Sequence, residues 1–182
     1  MNREVMTYFG LKKELDHLGY FQTEEQIQLF EELNHVVRQG RFIALSGMVG
    51  SGKTTTIQSL IDNLRKEKEV LVSSSLAVDK ERVNLGTLIT ALFYDLSTEK
   101  DLTIPTQPEK RERKLLALIQ KCCKPIVLFV DDAHSLHHST LVGLKRLIEL
   151  VRHNRGRLSV LLAGHPKLKN DLRRPTLEEI GA

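Results

Sequence analysis

Between Ser46 and Thr55 the chain reads Gly47-Met-Val-Gly-Ser-Gly-Lys-Thr54, which places two glycines, a lysine and a hydroxyl at the spacing G-x-x-x-x-G-K-[ST]. Each residue type has a physical task there. Glycines let successive backbone N–H groups turn inward around a phosphate, and a following helix adds the partial positive charge of its N-terminus. The Lys53 ammonium reaches β- and γ-phosphate oxygens, and the Thr54 hydroxyl is placed to hold a divalent cation. The expected ligand is therefore ATP with Mg²⁺, cradled by Gly47, Val49, Gly50, Ser51, Gly52, Lys53, Thr54 and Thr55. The motif is specific only when a strand precedes it and a helix follows. Arg41–Ser46 reads as a short buried strand, and the helical spacing of Ile57, Leu60, Ile61 and Leu64 supplies the helix over 53–66.

A second group of candidates lies at the end of the most apolar run, Ile126-Val-Leu-Phe-Val130. With no polar alternation, this segment reads as a strand buried on both faces, as parallel strands are. It delivers Asp131 to the carboxyl end of a sheet, where open α/β sheets place their ligands, so Asp131 is the expected acid on the Mg²⁺ side. Asp132 follows. Its carboxylate would orient, or take a proton from, the water that attacks the γ-phosphate; the alternative is a cap for the turn beside Ala133-His134. A third strand, Leu158–Ala163, ends in Gly164-His165-Pro166, and His165 is the candidate sensor of the γ-phosphate or of the attacking water. The competing reading for His165 is a histidine merely hydrogen-bonded or exposed.

The elements that must position these groups alternate along the chain. A helix over 23–40 opens on Thr23, with Gln26 three residues on as a capping box. After the phosphate loop and its helix come a strand over 70–74, a helix over 85–96, a loop over 97–108, a helix over 110–122 and a helix over 139–153. A basic helical tail is expected to reach Ala182. Strands alternating with helices predict an α/β protein with a parallel central sheet and helices on both faces. The expected organisation is a segment with its helix over 1–40 and a nucleotide-binding core over 41–182, one domain overall.

Composition bounds the remaining possibilities. A chain of 182 residues that is 41% hydrophobic supports one core of ordinary size. No apolar run approaches the length of a membrane span, and the N-terminus has neither an apolar h-region nor a small-residue cleavage site, so the cytoplasm is the expected location. Cys122 and Cys123 are adjacent and poorly placed to bridge, and no Cys or His shows zinc-ligand spacing. The net charge of +4 tilts toward an anionic partner, part of which nucleotide phosphate satisfies. The stretches over 110–114 and 167–174 are the densest in basic residues, and each reads as a solvated helix face or as a DNA contact.

Taken together, the phosphate loop, the Asp131-Asp132 pair, Tyr8-Phe-Gly-Leu11 and Leu162-Ala-Gly-His-Pro-Lys-Leu168 resemble an AAA+ ATPase of the ExeA-like group. That group takes in general-secretion ATPases and the helper ATPases of DDE transposons, of the TniB, TnsC and Mu B kind. The resemblance implies a P-loop NTPase three-layer sandwich, with Walker A at Gly47, Gly52, Lys53 and Thr54 and Walker B at Asp131 and Asp132. It also implies a homo-oligomer, ring or filament, in which a neighbour's arginine completes each site; Arg152, Arg155 and Arg157 are the candidates. The group commonly has Glu where this chain has Asp132 and often Gln where it has His165, so slow turnover is expected. Relatives continue into a helical lid where this chain ends, so the lid is expected to be largely absent and the chain a fragment. The function implied is an ATPase that assembles on double-stranded DNA without strong sequence preference and recruits or activates a transposase. The alternatives are a general-secretion ATPase and a nucleotide-dependent switch that binds protein without DNA.

Overall fold

The computed structural model describes Tyr8, Gly10 and residues 23–75, 83–97 and 103–174. The Tyr8–Leu11 motif, apart from Tyr8 and Gly10, and the tail over 175–182 lie outside the described residues. The ordered elements run α1 (Glu24–Val36), β1 (Phe42–Ser46), α2 (Lys53–Glu67), β2 (Leu71–Ser74), α3 (Leu85–Leu96), α4 (Pro108–Cys122), β3 (Ile126–Val130), a 3-10 turn (Ala133–Ser135), α5 (His138–His153), β4 (Leu158–Gly164) and α6 (Pro166–Leu172).

The strands form one sheet in the order β1-β4-β3-β2, with every pairing parallel. Helices cover both faces of the central strands, and the core divides accordingly, whereas β1, expected to be buried, is an edge strand paired only with β4, with Ala44 exposed and the rest half-buried. On β3, Ile126, Leu128 and Val130 face one layer, with Leu158, Val160 and Leu162 of β4 beside them under α3, α4 and α5. The alternate residues Val127, Phe129, Leu161 and Ala163 face the other layer, under Leu33 of α1 and Leu60, Ile61 and Leu64 of α2. Every residue of β3 and β4 is buried, the period-2 alternation separating the two cores and not core from solvent. This is the three-layer α/β sandwich expected from the alternating elements.

Several boundaries have visible chemical causes. The Thr23 side chain accepts from the Gln26 N–H while the Gln26 side chain accepts from the Thr23 N–H, so the capping box forms as expected. α1 ends at Val36, short of the expected Gly40, and the chain turns through Gly40 at φ 71 into β1. α4 begins at Pro108, two residues earlier than expected, because proline at the first helical position loses no bond and has φ preset for a helix. The basic tail is helical only over Pro166–Leu172 within the described residues. Both cysteines are free.

Candidate functional site

The carboxyl ends of β1, β3 and β4 lie side by side, and the phosphate loop, the two acids and His165 are placed there. Register sets the arrangement: Ser46 is opposite Gly164, and the Gly47 N–H donates to the Gly164 carbonyl at 3.2 Å, which carries the β1–β4 ladder one residue into the phosphate loop. The loop then turns on a Ser51 N–H to Met48 carbonyl bond of 3.3 Å. Gly50 and Gly52 adopt φ 82 and 79, the left-handed region that glycine occupies without steric cost. A Cβ on Gly47 would stand 2.9 Å from the Ser51 hydroxyl, so the concave side of the loop has no room for a side chain.

Helix α2 starts directly from this loop with Gly52 as its N-cap, and no side chain caps it. Its first turn has no carboxylate, in contrast to Glu24 and Glu25 in the first turn of α1. The positive end of the helix is thus left to an external anion. Lys53 folds over the loop, its ammonium donating to the Gly47 carbonyl at 2.8 Å, the Met48 carbonyl at 2.7 Å and the Ser51 hydroxyl at 3.4 Å. Thr55 is exposed at the rim, whereas Thr56 is buried and donates to the Gly52 carbonyl at 3.0 Å, bracing the first turn of the helix. Val49 is 88% exposed at the loop crest, so it enters the cradle through its backbone.

The two halves of the site meet at Thr54 and Asp131. The Thr54 hydroxyl donates to Asp131 Oδ2 at 3.0 Å, and Asp131 Oδ1 accepts the Asp132 N–H at 2.9 Å. Both carboxylate oxygens are thereby fixed in orientation. A hydroxyl beside an oriented carboxylate fits a hard divalent cation such as Mg²⁺, which Thr54 and Asp131 would hold. Asp132 is exposed and takes φ 55, left-handed for a residue other than glycine. It occupies the N-cap position of the 3-10 turn, its carbonyl accepting the Ser135 N–H at 3.0 Å, but its side chain makes no capping hydrogen bond, so its carboxylate is not consumed as the cap of that turn.

His165 is exposed just past β4, beside the turn that carries Asp132. Its N–H points to His134 Nδ1 at 3.5 Å, and the two rings stand 6.2 Å apart at 59°. Gly164 makes this closeness possible, since a Cβ there would lie 3.1 Å from the His134 N. The packing of His134 against the β4 end is the feature sequence reasoning missed; only its position three residues after Asp131 hinted at it. His137 has a structural task, its ring accepting the Ser139 N–H at the start of α5. Arg152, Arg155 and Arg157 lie at the opposite end of the sheet, where Arg152 donates to the Gly40 carbonyl at 3.0 Å.

A phosphate loop between β1 and α2, an acid at the end of a buried parallel strand and a polar residue at the end of the next define a P-loop nucleotide-binding protein. The family model described as AAA domain matches residues 34–172, and the chain belongs to that family. It is 29% identical over 163 residues to general secretion pathway protein A of Aeromonas hydrophila, spanning 88% of this chain and 29% of that protein. Among solved structures it is similar to Cdc6p from Pyrobaculum aerophilum, with a TM-score of 0.62 and 20% identity over 91% of this chain and 45% of that one. The Aeropyrum pernix ORC1 protein in complex with DNA superposes with a TM-score of 0.60 and 14% identity over 92% of this chain and 45% of that one. The chain thus spans less than a third of the curated relative and under half of these structures. No helix among the described residues is long and apolar enough to cross a membrane.

Proposed function

We propose that this chain is the ATP-binding and ATP-hydrolysing core of a nucleotide-dependent switch that assembles on duplex DNA when ATP is bound and recruits or activates a transposase. The observation that carries the nucleotide chemistry is the 3.0 Å bond between Thr54 and Asp131, which joins the phosphate loop to the acidic strand end. Bound Mg²⁺-ATP would supply the γ-phosphoryl group and the metal charge that steadies its transfer. The loop amides and Lys53 hold the phosphates. Thr54 and Asp131 hold the metal side, Asp132 orients or deprotonates the attacking water, and His165 contacts the γ-phosphate region from β4. Turnover is slow, because the Asp132 carboxylate is one methylene shorter than a glutamate would be. ATP favours a homo-oligomer in which a neighbour's arginine completes each site, and hydrolysis weakens it.

The net charge of +4 and the DNA complex known for the same fold in Aeropyrum pernix ORC1 support the DNA reading. The transposase partner rests on the resemblance to transposition helpers. The similarity to general secretion pathway protein A favours a second reading, the ATPase domain of a secretion protein. Sedimentation of the protein with a random-sequence duplex, under ATP, ADP and no nucleotide, separates the two. Co-sedimentation in ATP alone, weakening steeply with salt, is the expected result. Lys53→Ala should weaken ATP binding ~10–100-fold by removing a charged hydrogen-bond partner of the phosphates, and abolish the co-sedimentation. ATP binding and hydrolysis with no duplex association at any salt would overturn the DNA reading and leave the secretion ATPase and the protein-binding switch.

A further inference from the structure

At the amino ends of the strands, opposite the nucleotide, all four helix-to-strand turns use a left-handed residue: Gly40 at φ 71, Lys68 at 58, Cys123 at 52 and Arg155 at 60. Glycine is the residue that such turns ordinarily take. Two of the four carry a cation there instead. Arg41 precedes β1, Lys124 lies just before β3 and Arg157 precedes β4, so Arg41, Lys68, Lys124, Arg155 and Arg157 form an exposed basic rim.

The rim is held together by the backbone. Lys124 Nζ donates to the Lys68 carbonyl at 2.9 Å, and the Ile126 N–H donates to the Arg157 carbonyl at 2.8 Å. Where the ends of α4 and α5 meet opens a cleft of about 450 Å³ whose lining includes Gln120, Cys123, Lys124, Asn154, Arg155 and Arg157.

Cations near helix C-termini have an ordinary use in offsetting the macrodipole. Here α1, α2, α4 and α5 end together, which amounts to about half a negative charge each and about two in all. The five exposed cations exceed that. The nearby carboxylates Glu67 and Glu69 are both engaged by Arg38, and the one negative charge this leaves is matched by Arg152. A positive surplus remains. It is spread across four strands at about 4.8 Å spacing, hence over about 15 Å, the rise of roughly four base steps of a duplex.

We infer that this rim is a phosphate-backbone contact surface for duplex DNA, reading charge and not sequence, on the end of the sheet opposite the ATP site. The inference rests on the DNA reading above and adds the residues that would make the contact.

The test is fluorescence anisotropy of a labelled random-sequence duplex in ATP over a series of salt concentrations, comparing the protein with the Lys68→Gly, Lys124→Gln, Arg155→Gly triple variant. Glycine suits both left-handed positions, so the variant should fold, which thermal melting verifies. Loss of three phosphate contacts should lower the slope of log affinity against log salt by about 2.7 and raise Kd at low salt on the order of tenfold or more. Should the triple variant fail to fold, Lys124→Gln and Arg157→Gln each carry the same test, with a slope change of about one. Unchanged Kd and slope in folded variants, beside wild-type protein that does bind duplex, overturn this surface alone. Absence of duplex binding by the wild-type protein overturns the surface together with the DNA reading.

Discussion

The Thr54 hydroxyl donates to Asp131 Oδ2 across 3.0 Å, joining residues 77 positions apart in sequence. One carboxylate oxygen thus faces the helix start and the other is held by the Asp132 N–H. Thr54→Val keeps the shape and deletes the donor and the proposed metal ligand. Removing a hydrogen-bonding group next to a charge costs about 1.5–3 kcal/mol, so Mg²⁺-dependent ATP affinity should fall about 10–100-fold. Titration of a fluorescent ATP analogue with and without Mg²⁺ measures this. An equal loss in both conditions would show that Thr54 acts on the phosphates and not through the metal.

Asp132 can be dissected because its backbone and its charge make separate demands. At φ 55 an asparagine is as comfortable as the aspartate, so Asp132→Asn removes the charge and keeps the turn. Glycine would relieve up to about 1 kcal/mol of left-handed cost and remove the side chain altogether. Both variants should bind ATP like the wild type, and both should lose at least about 100-fold in hydrolysis, the order of a general-base contribution. Single-turnover phosphate release checks the rate. Hydrolysis at the wild-type rate in Asp132→Asn would remove the residue from the mechanism.

What the sequence made legible was whatever is encoded locally. The run Ile126–Val130 has no polar residue and is a buried strand, and α3 occupies 85–96 as its spacing predicts. The phosphate loop was readable because glycines, lysine and hydroxyl must lie at fixed offsets to surround a phosphate. Contacts between distant segments were not. Whether Asp132 caps its turn depends on a φ that no spacing encodes, and the approach of His134 to His165 depends on Gly164 lying against the turn after β3. The basic rim also escaped notice, because its residues are scattered over 41–157 and only the parallel order of the strands gathers them.

The acid side of stability should respond to Arg38, which bonds Glu67, Glu69 and the Asn34 carbonyl and so ties the end of α1 to the end of α2. The hydrogen bond from Arg38 holds Glu67 below its ordinary carboxylate range, opposed by partial burial and aided by the Arg38 charge and the Asn63 amide. A lowered pKa in the fold means the stabilisation is complete above the unfolded carboxylate range and is lost as pH falls through the folded value. The groups are partly exposed, so the contribution is below about 1 kcal/mol. Arg38→Ala should therefore melt slightly lower at neutral pH, and the gap should close as pH falls below about 4. Melting curves at neutral and acid pH test it, and a gap that widens in acid would contradict the sign.

Gly164 offers a test of whether the β4 end and the Asp131 turn act as one unit. An added Cβ would meet the His134 N at 3.1 Å, Leu168 Cδ2 at 3.3 Å and the His134 Cβ at 3.4 Å. The leucine can give by rotating, but the backbone N belongs to the 3-10 turn that follows Asp132 and moves only with it. Overpacking of this sort costs about 1–3 kcal/mol, a drop in Tm of about 3–10 °C for a chain of this size. If the turn is displaced, Gly164→Ala should lose more in hydrolysis than in ATP affinity, because the acids shift while the phosphate loop keeps its bond to the Gly164 carbonyl. Melting, ATP titration and turnover on the one variant decide this. A fall in Tm with hydrolysis unchanged would mean that the strain is absorbed at Leu168 and that the two strand ends are not mechanically linked.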